Sequence, residues 1–312
     1  MARPIILGVV GDSATGKTTI SRGLVHAVGG ENVTHVCTDD YHRYDRQQRA
    51  ELDITPLNPD CNYLDIIAQD LGHLRGGEPF LKPVYRHSDG THGPPVYVKP
   101  TSFAVVEGLL GYHTDEMRRG YDVRVYLDPP EALRREWKVQ RDTSRRGYTP
   151  EQVLAELDRR EPESEKYIRP QQRHADIVVS FLPRQDGDQA HLDAVLILRP
   201  TLPHPDLSAF LADDRSRGLT LAGQGLESKV LIPGDIDPDR ASELEEALWR
   251  RMFFASHLRP ERLGEFTIGT DVHRSDSLAL VQLLILFHVF TAKASVALGG
   301  EGTRSATQAA EA

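Results

Sequence analysis

Short runs of β-branched and apolar residues recur along the first 180 residues, each followed by a longer stretch whose apolar residues return every third or fourth position. That rhythm predicts a parallel sheet with helices on both faces. Strands buried on both sides are apolar throughout, while the helices that cover them keep one polar face. The predicted strands are Ile5 to Val10, Val33 to Thr38, Phe103 to Glu107, Val123 to Leu127 and Ile177 to Phe181. The predicted helices are Lys17 to Val28, Leu64 to Arg75, Glu131 to Ser144 and Pro150 to Arg160, the last opening on a proline whose missing N–H costs nothing in a first turn. Five prolines between Pro79 and Pro100 exclude a helix and predict a long ordered excursion.

After Pro183 the texture changes, with Asp186-Gly187-Asp188 as a plausible junction. Strand-like runs at Ala194 to Leu198 and Lys229 to Ile232 precede helical patterns at Asp239 to Ala255 and Ser277 to Ala294. The expected organisation is a core over 1–183 with a helical lid over about 130–172, then an α/β extension over 184–298. That extension either continues the sheet or forms a small subdomain. Residues 299–312, small and unpatterned, are expected to be a disordered tail.

The formal net charge is −9, from 46 acidic and 37 basic side chains, which argues against general binding to nucleic acid or anionic membranes. Two cysteines, Cys37 and Cys61, make neither a disulfide scaffold nor a metal motif. The N-terminal pattern is unlike a signal peptide. The longest apolar stretch, Leu278 to Phe290, has about a dozen residues, against the ~20 of a spanning helix. A cytoplasmic location is the expectation.

Gly11-Asp12-Ser13-Ala14-Thr15-Gly16-Lys17-Thr18 matches G-x-x-x-x-G-K-[ST] between a strand and a helix. In such a loop the backbone N–H groups turn inward around phosphate oxygens, the lysine reaches the β and γ phosphates, and the threonine holds Mg²⁺. An ordinary Gly-rich turn would explain the glycines but not the Lys-Thr pair. ATP or GTP binding is therefore predicted at Gly11 to Thr18, with Thr19 completing the first turn.

In open α/β sheets the carboxyl ends of strands face the ligand crevice. The second strand ends in Asp39-Asp40-Tyr41-His42-Arg43, and a carboxylate there suits the base that phosphoryl transfer to an alcohol requires. His42, Arg43, Arg46 and Arg49 could bind an anionic acceptor; the alternative is a solvated loop in which one aspartate caps a helix. Glu107, at the tip of the third strand, is placed for a Mg²⁺ contact, although Asp is the usual residue there. Residues 118–173 hold 14 Arg or Lys against 11 Asp or Glu, a net +3. Lys138 and Arg141 share a helix face, and Arg145-Arg146-Gly147-Tyr148 breaks that helix, so this segment reads as a lid over phosphates, the alternative being a solvated helix with intrahelical ion pairs.

Seven ordered segments carry a resemblance: Gly11 to Thr18; Asp39 to His42 with Asp45-Arg46; Pro83-Val84-Tyr85; Glu107-Gly108-Leu109; Trp137 to Asp142; Arg146 to Thr149; and Tyr167 to Gln171 with Ala175-Asp176-Ile177. Over about the first 180 residues the chain resembles the phosphoribulokinase and uridine kinase family of P-loop kinases, and within it the members that phosphorylate a pentulose phosphate. The resemblance implies ATP-dependent conversion of ribulose 5-phosphate to ribulose 1,5-bisphosphate, a Calvin-cycle step. It implies Asp39 as general base, with Lys17 serving ATP and Thr18, Glu107 and Asp39 beside Mg²⁺. It further implies that His42, Arg46 and Tyr85 contact the sugar phosphate and that Lys138, Arg141 and Arg146 neutralise phosphates from the lid. A homo-oligomer, dimer or higher, is the expected assembly, although oligomer contacts do not transfer from the family. The choice of Asp39 over Asp40 rests on its lying three residues before His42. Plant-type members carry a redox cysteine where Thr15 stands, so a disulfide to Cys37 is impossible here. A uridine kinase-like nucleoside kinase or another small-molecule kinase of the same group, and a non-catalytic nucleotide switch, are the alternatives. None of the seven lysines lies in the N-K-x-D motif of a GTPase.

Overall fold

The computed structural model describes residues 3–184, 191–208, 219–224, 227–252, 258–269 and 271–304. In chain order, β1 (Ile5–Gly11) leads into α1 (Lys17–Val28) and β2 (Val33–Cys37), and two helices follow, α2 (Arg46–Glu51) and α3 (Leu64–Gly76). The hairpin of β3 (Phe80–Arg86) and β4 (Thr91–Val98) precedes β5 (Phe103–Gly108), α4 (Asp115–Arg119) and β6 (Val123–Leu127). The helix pair α5 (Glu131–Arg146) and α6 (Pro150–Glu163) then leads to β7 (Ile177–Leu182). The remainder contains β8 (Asp193–Leu198), β9 (Thr220–Gln224), β10 (Glu227–Ile232), α7 (Pro238–Arg251), the hairpin of β11 (Glu265–Ile268) and β12 (Asp271–Arg274), and α8 (Asp276–Ala297).

Eight strands form the main sheet in the order β2-β5-β1-β6-β7-β8-β10-β9. The first five are parallel, and β8, β10 and β9 continue the sheet antiparallel. Period-two alternation assigns each strand's side chains to two cores. On β1, Ile5, Leu7 and Val9 face the layer of α1, α7 and α8, while Ile6 and Val10 face Ile67 and Leu71 of α3 and Met117 of α4. The Asp186-Gly187-Asp188 junction lies outside the described residues, and the helix predicted over Asp239 to Ala255 ends at Arg251, where Met252 turns extended.

The Pro79 to Pro100 excursion is the β3–β4 hairpin, and its prolines sit where a ladder tolerates them. Pro83 lies at the register shift between Lys82 and Val84, and Pro94 and Pro95 lie on a strand with one free edge. Two expectations need correction. The apolar run at Leu278 to Phe290 belongs to a 22-residue helix, long and apolar enough by length and composition to cross a membrane. In the structure α8 lies against β1, β6 and β8 and beside α1 and α7, and its residues from Ser277 to Leu286 are all buried. An all-round apolar helix is explained by such a site. The predicted disordered tail is ordered as far as Arg304, whose guanidinium lies 2.6 Å from the fully buried Asp176 carboxylate. Residues 305–312 lie outside the described residues.

Candidate active site

Between β1 and α1 the chain turns through two left-handed residues, Ala14 (φ 67°) and Gly16 (φ 93°). A side chain on Gly11 would meet the Leu127 carbonyl at 2.7 Å, so the loop presses its backbone against β6. Lys17 is half-buried, and its Nζ donates to the carbonyls of Gly11 (2.8 Å) and Asp12 (2.7 Å). Burial lowers its pKa, opposed by the charges of Asp39, Glu107 and Asp12. The Asp12 carboxylate points away from the cradle, accepting from the Ser13 N–H and the Ser164 hydroxyl and lying 3.5 Å from Arg134. Gly11 and Asp12 thus form the floor, while Ser13 through Thr19 line the cleft. Thr15 donates to the Asp12 carbonyl at 2.9 Å, and Cys37 stands free with its thiol pKa raised by burial and by Asp39.

Glu107, buried at the tip of β5, meets the P-loop helix. Ser21 Oγ donates to its Oε2 at 3.0 Å, Thr18 Oγ1 is 3.5 Å from Oε1, and His35 Nε2 lies 3.2 Å from the same oxygen. Burial alone would raise the Glu107 pKa, but the His35 contact, Lys17 and Ser21 together bring it below the ordinary value. His35 was not anticipated, although the register carried the signal: Cys37 opposes Glu107, and His35, two residues earlier on β2, shares the face of Cys37. Among the described residues no three His, Cys, Asp or Glu form a metal cluster. Two hard oxygen donors beside a phosphate cradle suit Mg²⁺ nonetheless, because that ion keeps waters and takes phosphate oxygens as its other ligands.

Asp39 and Asp40 occupy one 3₁₀ turn, Thr38–Tyr41, with different partners. Asp40 is bound to the Lys82 ammonium and accepts from the Tyr85 N–H at 3.0 Å, which pins the β3–β4 hairpin to the strand tip. The Asp39 carboxylate lines the cleft and pairs with no described side chain; its charge is felt at Lys17, His42 and His87. The close approach of this turn requires Gly108, where a Cβ would fall 1.7 Å from Thr38 Oγ1.

Facing Asp39 is a ring of groups, buried at His42 and Tyr85 and exposed at Arg46 and His87. His42 is 3% exposed, with Nδ1 2.8 Å from Asn62 Oδ1, and burial lowers its pKa to about 4 despite the Asp39 charge. Tyr85 stands edge-on to His42 at 4.8 Å, and Arg49 lies over the Tyr85 ring at 4.9 Å and donates to its hydroxyl. Arg46 donates to the His87 carbonyl at 2.7 Å. Among the described residues neither Arg46 nor Arg49 has a carboxylate partner, and both line the cleft. Arg43 is exposed over Tyr63 and does not line it. His87, missed in the sequence, lies in the segment read only as an excursion.

The helix pair closes the other side. Gly147 (φ 72°) ends α5, and Thr149 opens α6 with a capping box to Gln152. Lys138, Arg141 and Arg146 all line the cleft and converge on one counter-ion, Asp142, at 2.6, 2.8 and 3.5 Å. Burial and the neighbouring Arg141 charge pull Lys138 down to about 8. Asp142 falls to about 2, the burial that would raise it being outweighed by Arg141 and Lys138. Three cations on one carboxylate leave net positive charge above the cradle. The whole cleft encloses about 1130 Å³.

A nucleotide-type phosphate loop, an acid at the neighbouring strand tip and a basic helix pair on a mostly parallel sheet define a P-loop α/β protein. The model of the Phosphoribulokinase / Uridine kinase family matches residues 6–187, and the chain belongs to that family. It is 40% identical over 181 residues to a phosphoribulokinase of Synechocystis sp., covering 58% of this chain and 54% of that protein. It is 30% identical over 181 residues to a uridine kinase of Deinococcus deserti, covering 57% of this chain and 87% of that one. The chain thus spans about half the length of the Synechocystis relative. Among solved structures, a phosphoribulokinase from Rhodobacter spheroides shares the fold with a TM-score of 0.59 at 19% identity, covering 80% of this chain and 97% of that one.

Proposed function

We propose that this chain is a kinase that transfers the γ-phosphoryl group of ATP to a hydroxyl of a sugar phosphate, ribulose 5-phosphate, giving ribulose 1,5-bisphosphate and ADP. The reading rests above all on the contrast between the paired Asp40 and the unpaired Asp39 beside Lys17. A carboxylate without partners is the group free to accept a proton. Asp39 takes the proton of the sugar C1 hydroxyl as its oxygen bonds to the γ-phosphorus and the bond to the β-phosphate oxygen breaks. Lys17 exchanges the loop carbonyls for phosphate oxygens, and Lys138, Arg141 and Arg146 neutralise charge on the transferred group. Thr18 and Glu107 would hold Mg²⁺, which supplies further neutralisation of the β and γ phosphates when bound.

Arg46 and Arg49 favour an acceptor carrying its own phosphate. Cations without carboxylate partners on the cleft wall match a dianion bidentately, and a neutral nucleoside offers them no counter-charge. His42, neutral above its lowered pKa, serves as a hydrogen-bonding group to the sugar. The test is ADP release from Mg-ATP with ribulose 5-phosphate, ribose 5-phosphate, uridine and cytidine offered separately. The expected result is turnover with ribulose 5-phosphate far above the nucleosides; preferential use of uridine would assign the site to the nucleoside kinases of the family.

A further inference from the structure

Beyond the Asp39, His42 and Tyr85 side, the cleft is lined by Ile20 of α1, Trp137 of α5, Leu192 before β8, Phe266 and Ile268 of β11, and Leu278 at the start of α8. Trp137 and Phe266 are only partly buried although they pack on the apolar core. Trp137 borders the phosphate loop directly, since a Cβ on Gly16 would lie 4.0 Å from its ring. Two accessible aromatic rings beside a phosphate cradle, with polar groups at Arg22, Thr267 and Ser275 on the same elements, suit a planar heterocycle with polar edges.

The hairpin that carries Phe266 is fastened to the cradle. Gln282, fully buried in the middle of α8, accepts from the Gly264 N–H at 2.8 Å and donates to the Thr19 carbonyl at 3.3 Å, joining the start of β11 to the first turn of α1. Gly23 of α1 makes room for it, because a Cβ there would fall 2.1 Å from the Gln282 amide nitrogen. A buried amide satisfied at both ends sets a spacing, and this one sets the distance between Phe266 and the phosphate loop.

We infer that the β11–β12 hairpin forms one wall of the site for the nucleotide base, with the base lodged between Phe266 and Trp137 and Gln282 acting as the positioning residue. Residues 265–268, outside the segment matched by the family model, thereby belong to the nucleotide site. The inference rests on the proposed nucleotide-binding function and adds where the base goes.

The experiment titrates ADP and inorganic tripolyphosphate, which has phosphates and no base, onto the full chain by calorimetry. Phe266→Ala is expected to weaken ADP by about tenfold or more, since a base–aromatic contact is worth roughly 5- to 150-fold, and to leave tripolyphosphate within about twofold. A second readout needs no change at the hairpin. The chain has two tryptophans, so in Trp249→Phe the emission reports Trp137 alone, and it should change with ADP and not with tripolyphosphate. Equal ADP affinity in wild type and Phe266→Ala, or a Trp137 response to both ligands alike, overturns the base site while leaving the phosphate cradle intact. Failure of the wild type to bind either ligand overturns the cradle and the base site together.

Discussion

The parallel half of the sheet, β2 through β7, and the antiparallel half, β8 through β9, are built from similar apolar strands, yet only the first gathers chemistry at one edge. Parallel strands end on the same side, so the tips of β1 and β2 deliver Lys17 and Asp39 to a single mouth, with the Glu107 tip of β5 beside Thr18, which lines it. Antiparallel strands deliver successive tips to opposite edges, and that half contributes α7, α8 and a deep apolar core. Substitutions in the first half should therefore alter turnover, and those in the buried core of the second half stability, the cleft-lining Phe266 and its support Gln282 apart.

The sharpest separation is expected at Asp39→Asn, which should lower kcat by about 10²- to 10⁴-fold, the usual loss of a positioned base, with the melting temperature unchanged. Steady-state kinetics beside a melting curve checks it. Leu284→Ala, at a fully buried position of α8, should cost about 2–5 kcal/mol of stability in denaturant titration while kcat of the folded fraction stays at the wild-type value. Asp40→Asn tests the comparison within the catalytic half. It removes the counter-ion of a buried lysine and should cost about 1–3 kcal/mol, with kcat falling far less than in Asp39→Asn.

The smallest effect is a pH dependence of stability. Lys138 is held at about 8 by burial, so between that value and the ordinary lysine value the unfolded chain binds its proton more tightly than the folded one. Stability should rise with pH across this window, and Lys138→Met should flatten the rise in melting temperature. Asp142, held at about 2, gives the opposite limb: its contribution is present above the ordinary aspartate range and is lost as pH falls toward about 2.

Much of the parallel half is legible in the sequence because both of its signals are local, doubly buried strands as unbroken apolar runs and the phosphate loop as a fixed spacing. The rest depends on partners far along the chain. Asp39 and Asp40 are chemically identical neighbours, and what separates them is Lys82 and Tyr85, brought up by a hairpin some forty residues later. Gln282 and His288 interrupt the apolar run of α8, yet both find partners within the fold, Gly264 and Thr19 for the first and His204 at 3.3 Å for the second. β11 and β12 carry Glu265, Asp271, His273 and Arg274, and such half-exposed strands show no clean alternation to read.

The central claim is that Asp39 faces the acceptor hydroxyl across the phosphates held by Lys17. A crystal structure of the chain with a non-hydrolysable ATP analogue, Mg²⁺ and ribulose 5-phosphate measures it directly. The account predicts an Asp39 carboxylate oxygen within about 2.6–3.2 Å of the sugar C1 hydroxyl, with Asp40 still bound to Lys82. Asp39 turned to solvent while another group contacts that hydroxyl would contradict it.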